Sequence, residues 1–134
     1  EKHLDHFKPD ILVVDQADKV LVPGKFNRSD EKLRALYTSL REIAKRKNVS
    51  LIGVSQAGNE AAGKTRLLPN MMEGSKVGKF AEADLILGIG KHNSEGQNGD
   101  DSPVRFITVG KNKISGTHGT VAVNLDKALF RYTD

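Results

Sequence analysis

The stretch from Pro9 to Gln16, "PDILVVDQ", decides the fold of this 134-residue chain. Its four consecutive apolar residues, Ile11 to Val14, stand between Pro9-Asp10 and Asp15, a pattern that suits a strand buried on both faces of a parallel sheet. Asp15 then emerges at the C-terminal end of that strand. Beyond the turn-rich "VPGKFNR", Ser29 can cap a helix that carries Asp30 and Glu31 in its first turn and Lys45, Arg46 and Lys47 in its last, so charge matches the helix dipole at both ends. Leu33, Leu36, Leu40, Ile43 and Ala44 line one face of it. Asn48 ends the helix, and "VSLIGVSQ" (49–56) follows as a second, mostly apolar strand. The order strand, helix, strand implies a right-handed parallel crossover.

From Ala57 to Lys79 the chain is rich in Gly, Lys and Asn and has no strong periodicity, which predicts a long loop with a short helix near Met71. Loops of that length inside compact domains are usually functional or mobile. "ADLILGIG" (83–90) predicts a third buried strand in the parallel core, at about 85–89, and "NSEGQNGDDSP" (93–103) a polar connection. From about 104 onward the texture changes. "VRFITVGKNK", "TVAVNLD" and "ALFRYTD" are short strand-like runs separated by Gly-containing turns, so they predict an antiparallel extension of the sheet.

Composition sets wider bounds. The length fits one domain with a real core. Hydrophobic residues make up 37% and charged residues 28%, and no apolar run approaches the roughly 20 residues that cross a bilayer, so no membrane association is expected. The absence of cysteine excludes a disulfide framework and a thiolate metal site. With no secretory leader pattern, a cytoplasmic location in a bacterial or phage-infected cell is the expectation. The net charge of +4 and pI near 9.4 are compatible with a polyanion partner, but small basic domains without one are common, so charge alone does not choose.

One motif asks for a nucleotide directly. Residues 58–65, "GNEAAGKT", fit the phosphate-loop pattern G-x-x-x-x-G-K-[ST] letter for letter. A working phosphate loop needs a strand before it and a helix that starts at the Lys-Thr, so that the helix dipole faces the anion. "SLIGVSQ" supplies the strand. Pro69, four residues after Thr65, opposes the helix because it would remove a hydrogen bond and clash with the preceding turn. The order is also awkward, since the acidic strand "ILVVDQ" comes first. The motif therefore reads as a loop with a chance match, and a self-contained nucleotide-binding protein using Gly58 to Thr65 stands as the minor alternative.

Taken in series, "PDILVVDQ", "VSLIGVSQ", "SKVGKFAEADLILGIG" and "ITVGKNKISGTHGTVAVNLD" resemble the second half of the RecA-like motor domain of ring-shaped replicative helicases, the DnaB type and phage primase-helicases. A strand ending in Asp is weakly specific, whereas its order with a strand ending in Ser-Gln, then E-A-D-x-I-x-G-I and G-K-N-K-x-x-G, is much more so. The resemblance implies an α/β, partial RecA-like P-loop NTPase fold, with a parallel core sheet, flanking helices and an antiparallel C-terminal extension. It implies ATP and Mg²⁺ as cofactors of the intact protein, single-stranded DNA as partner, and a homo-oligomeric ring, usually hexameric. The family's phosphate loop and catalytic glutamate precede the acidic strand, so the resemblance also implies that residues 1–134 are a fragment of a longer motor, inactive alone.

Roles follow residue by residue. Asp15 resembles the Walker B carboxylate that holds Mg²⁺ directly or through water, and a turn-capping Asp is the plainer reading. Gln56 resembles the polar sensor of the γ-phosphate that passes its presence to the next loop; a satisfied strand-end amide is the alternative. The loop from Ala57 to Lys79 takes the place where ring helicases carry DNA-binding loops, with Lys64, Arg66, Lys76 and Lys79 as phosphate partners, against the alternative of a solvated basic loop. Without an aromatic platform other than Phe80 at its edge, it suits backbone contact rather than base readout. In "GKNKISG", Lys111 and Lys113 stand two apart on an extended strand, point the same way, and resemble the Lys and Arg fingers that reach the ATP of the neighbouring subunit. The second is Lys where the family usually has Arg, which removes the planar fork. A non-catalytic RecA-like module that binds DNA or a protein partner remains the second function class.

Overall fold

A computed structural model describes residues 2–72, 78–91 and 102–134. Lys76 and most of the 93–103 connection lie outside the described residues. The chain divides into two compact units, Glu1–Gln56 with Glu73–Glu82, and Ala57–Met72 with Ala83–Asp134.

In the first unit, a short helix α1 (Lys2–Phe7) leads into β1 (Ile11–Val14), then α2 (Ser29–Lys47), β2 (Ser50–Gly53) and α3 (Gly78–Glu82). The strands β1 and β2 pair in parallel, Ile11 opposite Ser50 and Val14 opposite Gly53. Their alternation assigns the faces: Leu12, Val14 and Leu51 are half-buried, and Val14 and Leu51 pack with Leu33 and Tyr37 against the buried Ala17, Leu36 and Leu40. The apolar stripe of α2 thus does what its spacing predicts. The other face of the pair is not covered. Ile11, Val13, Ile52 and Val54 are 56, 59, 51 and 46% exposed, so burial on both faces, expected from the run "ILVV", holds for one face only in this chain.

Both ends of α2 are set locally. Asn48 adopts the left-handed conformation (φ 50°, ψ 48°), and its N–H donates to the carbonyls of Ala44 and Lys45, closing the helix as expected. The N-terminus differs from expectation. Ser29 is the first helical residue and Arg28 takes the cap position without a side-chain cap bond, because the Arg28 guanidinium donates instead to both carboxylate oxygens of Asp30, at 3.0 and 2.8 Å. α3 is a further difference, since the sequence pattern assigns Gly78 and Lys79 to the loop. It is fastened to α2 where Arg41 donates to the Glu82 carbonyl and Thr38 to the Glu82 carboxylate at 3.2 Å.

The second unit is an antiparallel sheet in the order β3 (Leu85–Gly90), β4 (Val104–Asn112), β5 (Gly119–Asp126), β6 (Arg131–Thr133). Here the expectation of a three-stranded parallel core is corrected. β3 pairs antiparallel with β4, from Leu85 opposite Asn112 to Gly90 opposite Phe106. An apolar run such as "LILGIG" records burial and not the direction of its partner, so the sequence could not separate the two pairings. The antiparallel extension from Val104 is as predicted. Asn112 turns the chain between β4 and β5, its side-chain carbonyl accepting from the N–H groups of Ile114 (3.0 Å) and Ser115 (3.1 Å).

The segment Ala57–Met72 forms a pinched loop. Ala57 bridges Met72, the Gly58 N–H donates to the Met71 carbonyl at 2.8 Å, and single 3₁₀ turns occupy Asn59–Ala61 and Pro69–Met71. Its second half lies on glycines of β3 and β4. A Cβ at Gly90 would stand 2.5 Å from the Lys64 carbonyl oxygen, and one at Gly110, in the β3–β4 bulge, 2.9 Å from Pro69 Cδ. Gly90→Ala should therefore destabilise the protein by about 1–3 kcal/mol. Gly119→Ala, where a Cβ meets nothing within 4 Å, should stay within about 0.5 kcal/mol. Denaturant unfolding of the two variants side by side checks the contrast.

Candidate functional site

Ligands of open α/β sheets gather beyond the carboxyl ends of parallel strands, and β1 and β2 end side by side. The Val54 N–H donates to the Val14 carbonyl at 2.9 Å and the Ala17 N–H to the Val54 carbonyl at 3.1 Å. The exposed Asp15 and Gln56 therefore leave the same edge of the sheet. The chain turns sharply there. Gln16 takes a left-handed conformation (φ 50°, ψ 51°) and starts the 3₁₀ turn Ala17–Lys19, a conformation that non-glycine residues seldom adopt and that concentrates at functional turns.

That turn delivers Asp18 into a polar knot, which the sequence reading missed. Asp18 accepts hydrogen bonds from the hydroxyls of Tyr37 and Ser55, both at 2.7 Å, and from the Lys79 ammonium at 2.5 Å. Lys79 also donates to Ser55 at 2.9 Å and lies 5.9 Å from the centre of the Tyr37 ring. Lys79 is 1% exposed. The expectation of a DNA-facing loop cation is corrected here: α3 turns Lys79 inward, and its ammonium is engaged with Asp18. Burial pushes the Asp18 carboxyl up, but the bonds from Lys79, Tyr37 and Ser55 together outweigh it and hold the group below the usual carboxylate value. Burial first, and then the neighbouring Asp18, raise the Tyr37 hydroxyl far above its ordinary range.

Beside the knot lies an open cleft of about 340 Å³, lined by Gln16, Asp18, Lys19, Ser29, Lys32, Leu33, Gln56 and Lys79. Gln56 thus faces a cleft rimmed by two lysines, an arrangement suited to an anion. Among the described residues no group of three or more acidic or histidine side chains is placed to hold a metal. Asp15 supplies one carboxylate, which fits Mg²⁺ only in the usual way for that ion, with phosphate oxygens and water completing its shell.

In the second unit, Lys64 and Arg66 are exposed. No helix starts at Lys64-Thr65, because the chain runs on without helical structure to Leu68 and presses carbonyls against Gly90. "GNEAAGKT" is therefore no phosphate loop in this geometry. Lys111 sits in β4 opposite Ile86, but the strand ends at Asn112, so Lys113 falls in the turn and the predicted common direction of the two side chains does not follow. The Lys113 N–H donates to the Asp84 carbonyl at 2.8 Å, and its ammonium stands 3.8 Å from the Asp84 carboxylate.

No protein-family model and no curated protein sequence matches the chain. Solved structures do. The ATPase domain of one DnaB-like replicative helicase superposes on 99% of the chain with a TM-score of 0.79 at 18% identity. A second DnaB-like replicative helicase, described with its interactions with primase, superposes on 92% with a TM-score of 0.71 at 20% identity. The shared fold is that of DnaB-like helicase ATPase domains. The chain spans about half of the first structure's length and under a third of the second's, the matched shares being 49% and 29%.

The Asp18 knot has a pH signature. A carboxyl whose folded pKa lies below its unfolded value adds stability that is complete above about pH 4 and is lost as the pH falls through the folded value. Melting temperature should drop on acidification below that point. Asp18→Asn should lower stability at neutral pH and flatten the acid limb, as thermal melts across roughly pH 2.5–7, a range chosen to bracket about pH 4, would read.

Proposed function

We propose that the chain is part of an ATP-driven, ring-forming DNA helicase motor that moves along single-stranded DNA during replication. The observation that carries this reading is the fold, shared over 99% of the chain with a helicase-type ATPase domain, together with Asp15 and Gln56 at the carboxyl edge of β1 and β2. Asp15 holds Mg²⁺, and the bound ion supplies charge neutralisation between two phosphates. Gln56 senses the terminal phosphate from the cleft. Lys64 and Arg66 contact the phosphates of the strand, and Lys111 and Lys113 reach the nucleotide of the neighbouring subunit. For Lys113 this means leaving Asp84, which costs at most about 1 kcal/mol because both side chains are about half exposed. In this reading the nucleotide's phosphate loop belongs to the longer protein, not to Gly58–Thr65.

The intact protein with Asp15→Ala should lose ATP turnover by roughly a hundredfold or more, since a charge that stabilises the transferring phosphate is removed. Unchanged turnover rejects the Mg²⁺ role. Lys64→Ala and Arg66→Ala should each lower the salt dependence of single-strand binding by about 0.7 in log–log slope, and a slope equal to wild type rejects the phosphate contact. A fluorescent ATP analogue with Mg²⁺ should show no saturable binding to residues 1–134 that Lys64→Ala abolishes.

A further inference from the structure

Lys79 is a cation where the packing asks only for bulk. A buried ion pair replaced by apolar side chains of similar volume usually leaves stability unchanged or improved, so core filling gives no reason for an ammonium that is 1% exposed. What the ammonium adds is direction. Lys79 comes from α3, which follows the 57–72 segment in the chain, and its partners are Asp18 in the turn after Asp15 and Ser55 immediately before Gln56. Ser55 closes the triangle with its own 2.7 Å bond to Asp18. The contact is not a serine nucleophile with its base, because the ammonium is ion-paired with Asp18 and shut off from solvent.

Resting on the functional reading above, we propose that Lys79 is a positioning residue, which through Asp18 and Ser55 ties the stretch that meets DNA to the strand end that meets nucleotide. A strand bound along residues 57–72 displaces α3, Lys79 carries the displacement to Ser55, and Gln56 moves with it. Hydrogen bonds of fixed length and angle transmit such a shift, whereas an apolar contact of the same size slides.

The test is amide hydrogen exchange on the intact protein with and without an oligothymidylate, in wild type, in the uncharged double variant Asp18→Asn/Lys79→Met, and in Ser55→Ala, which keeps the ion pair and removes only its link to β2. In wild type the oligonucleotide changes exchange both at 57–72 and at 53–56. In each variant the response at 57–72 persists, while the response at 53–56 and the DNA stimulation of ATP turnover fall about tenfold. Variants that respond at 53–56 as wild type does make the knot merely structural and overturn the proposal. A wild-type response confined to 57–72 overturns it as well and leaves the helicase reading standing. No wild-type response at 57–72 removes the helicase reading and the proposal together.

Discussion

An ammonium withdrawn from water costs several kcal/mol unless a carboxylate and further acceptors meet it, and the first unit is organised around that requirement at Lys79. Asp18 must reach it, which calls for the left-handed Gln16 and the tight turn that follows β1. Tyr37 must present its hydroxyl to the same carboxylate, which fixes the rotation of α2 and with it the inward placing of Leu36 and Leu40. Ser55 fills the remaining side and pins the end of β2. Removing any one member leaves a charge or a hydroxyl to be desolvated without return, so the four positions constrain each other more tightly than their individual bonds suggest.

The second unit rests on the absence of side chains. Gly90 and Gly110 let the segment from Lys64 to Pro69 lie directly on β3 and β4, and the bulge at Gly110 makes room for Pro69. Thr108 is fully buried and shares a 3.0 Å hydroxyl bond with Thr120 of the adjacent strand, so the polar group inside this sheet is satisfied across the ladder. The result is a stiff backing from which Lys64 and Arg66 project into solvent.

Much of this is legible where the signal is local. Pro9-Asp10 and Asp15 bracket β1 to the residue, the 3.6-residue spacing identifies the buried face of α2, and Asn48 ends it. Pro69 rightly argues against a helix after Lys64. The failures share one cause, which is that the deciding partner is remote or competes with the expected one. Arg28 captures Asp30 and displaces the Ser29 cap. The direction of β3 is set by β4, beyond the polar connection. Lys79 reads as a loop cation because its acceptor, Asp18, lies 61 residues away in the chain. No motif marks that pair; a lysine next to the E-A-D strand entry is the nearest thing to a signal.

The run "ILVV" has one more consequence, which concerns the chain before it folds. Four aliphatic residues of high β-propensity in a row are the raw material of intermolecular zippers. Folding withdraws Leu12 and Val14 beneath α2 and leaves Ile11 and Val13 facing water. Pro9, Asp10 and Asp15 stand directly at the borders of the run, where an imino acid that cannot donate and two carboxylates that repel their copies act as gatekeepers. The carboxylate offered here as a magnesium ligand thus has a second use during synthesis, when it keeps one nascent strand from stacking on the next.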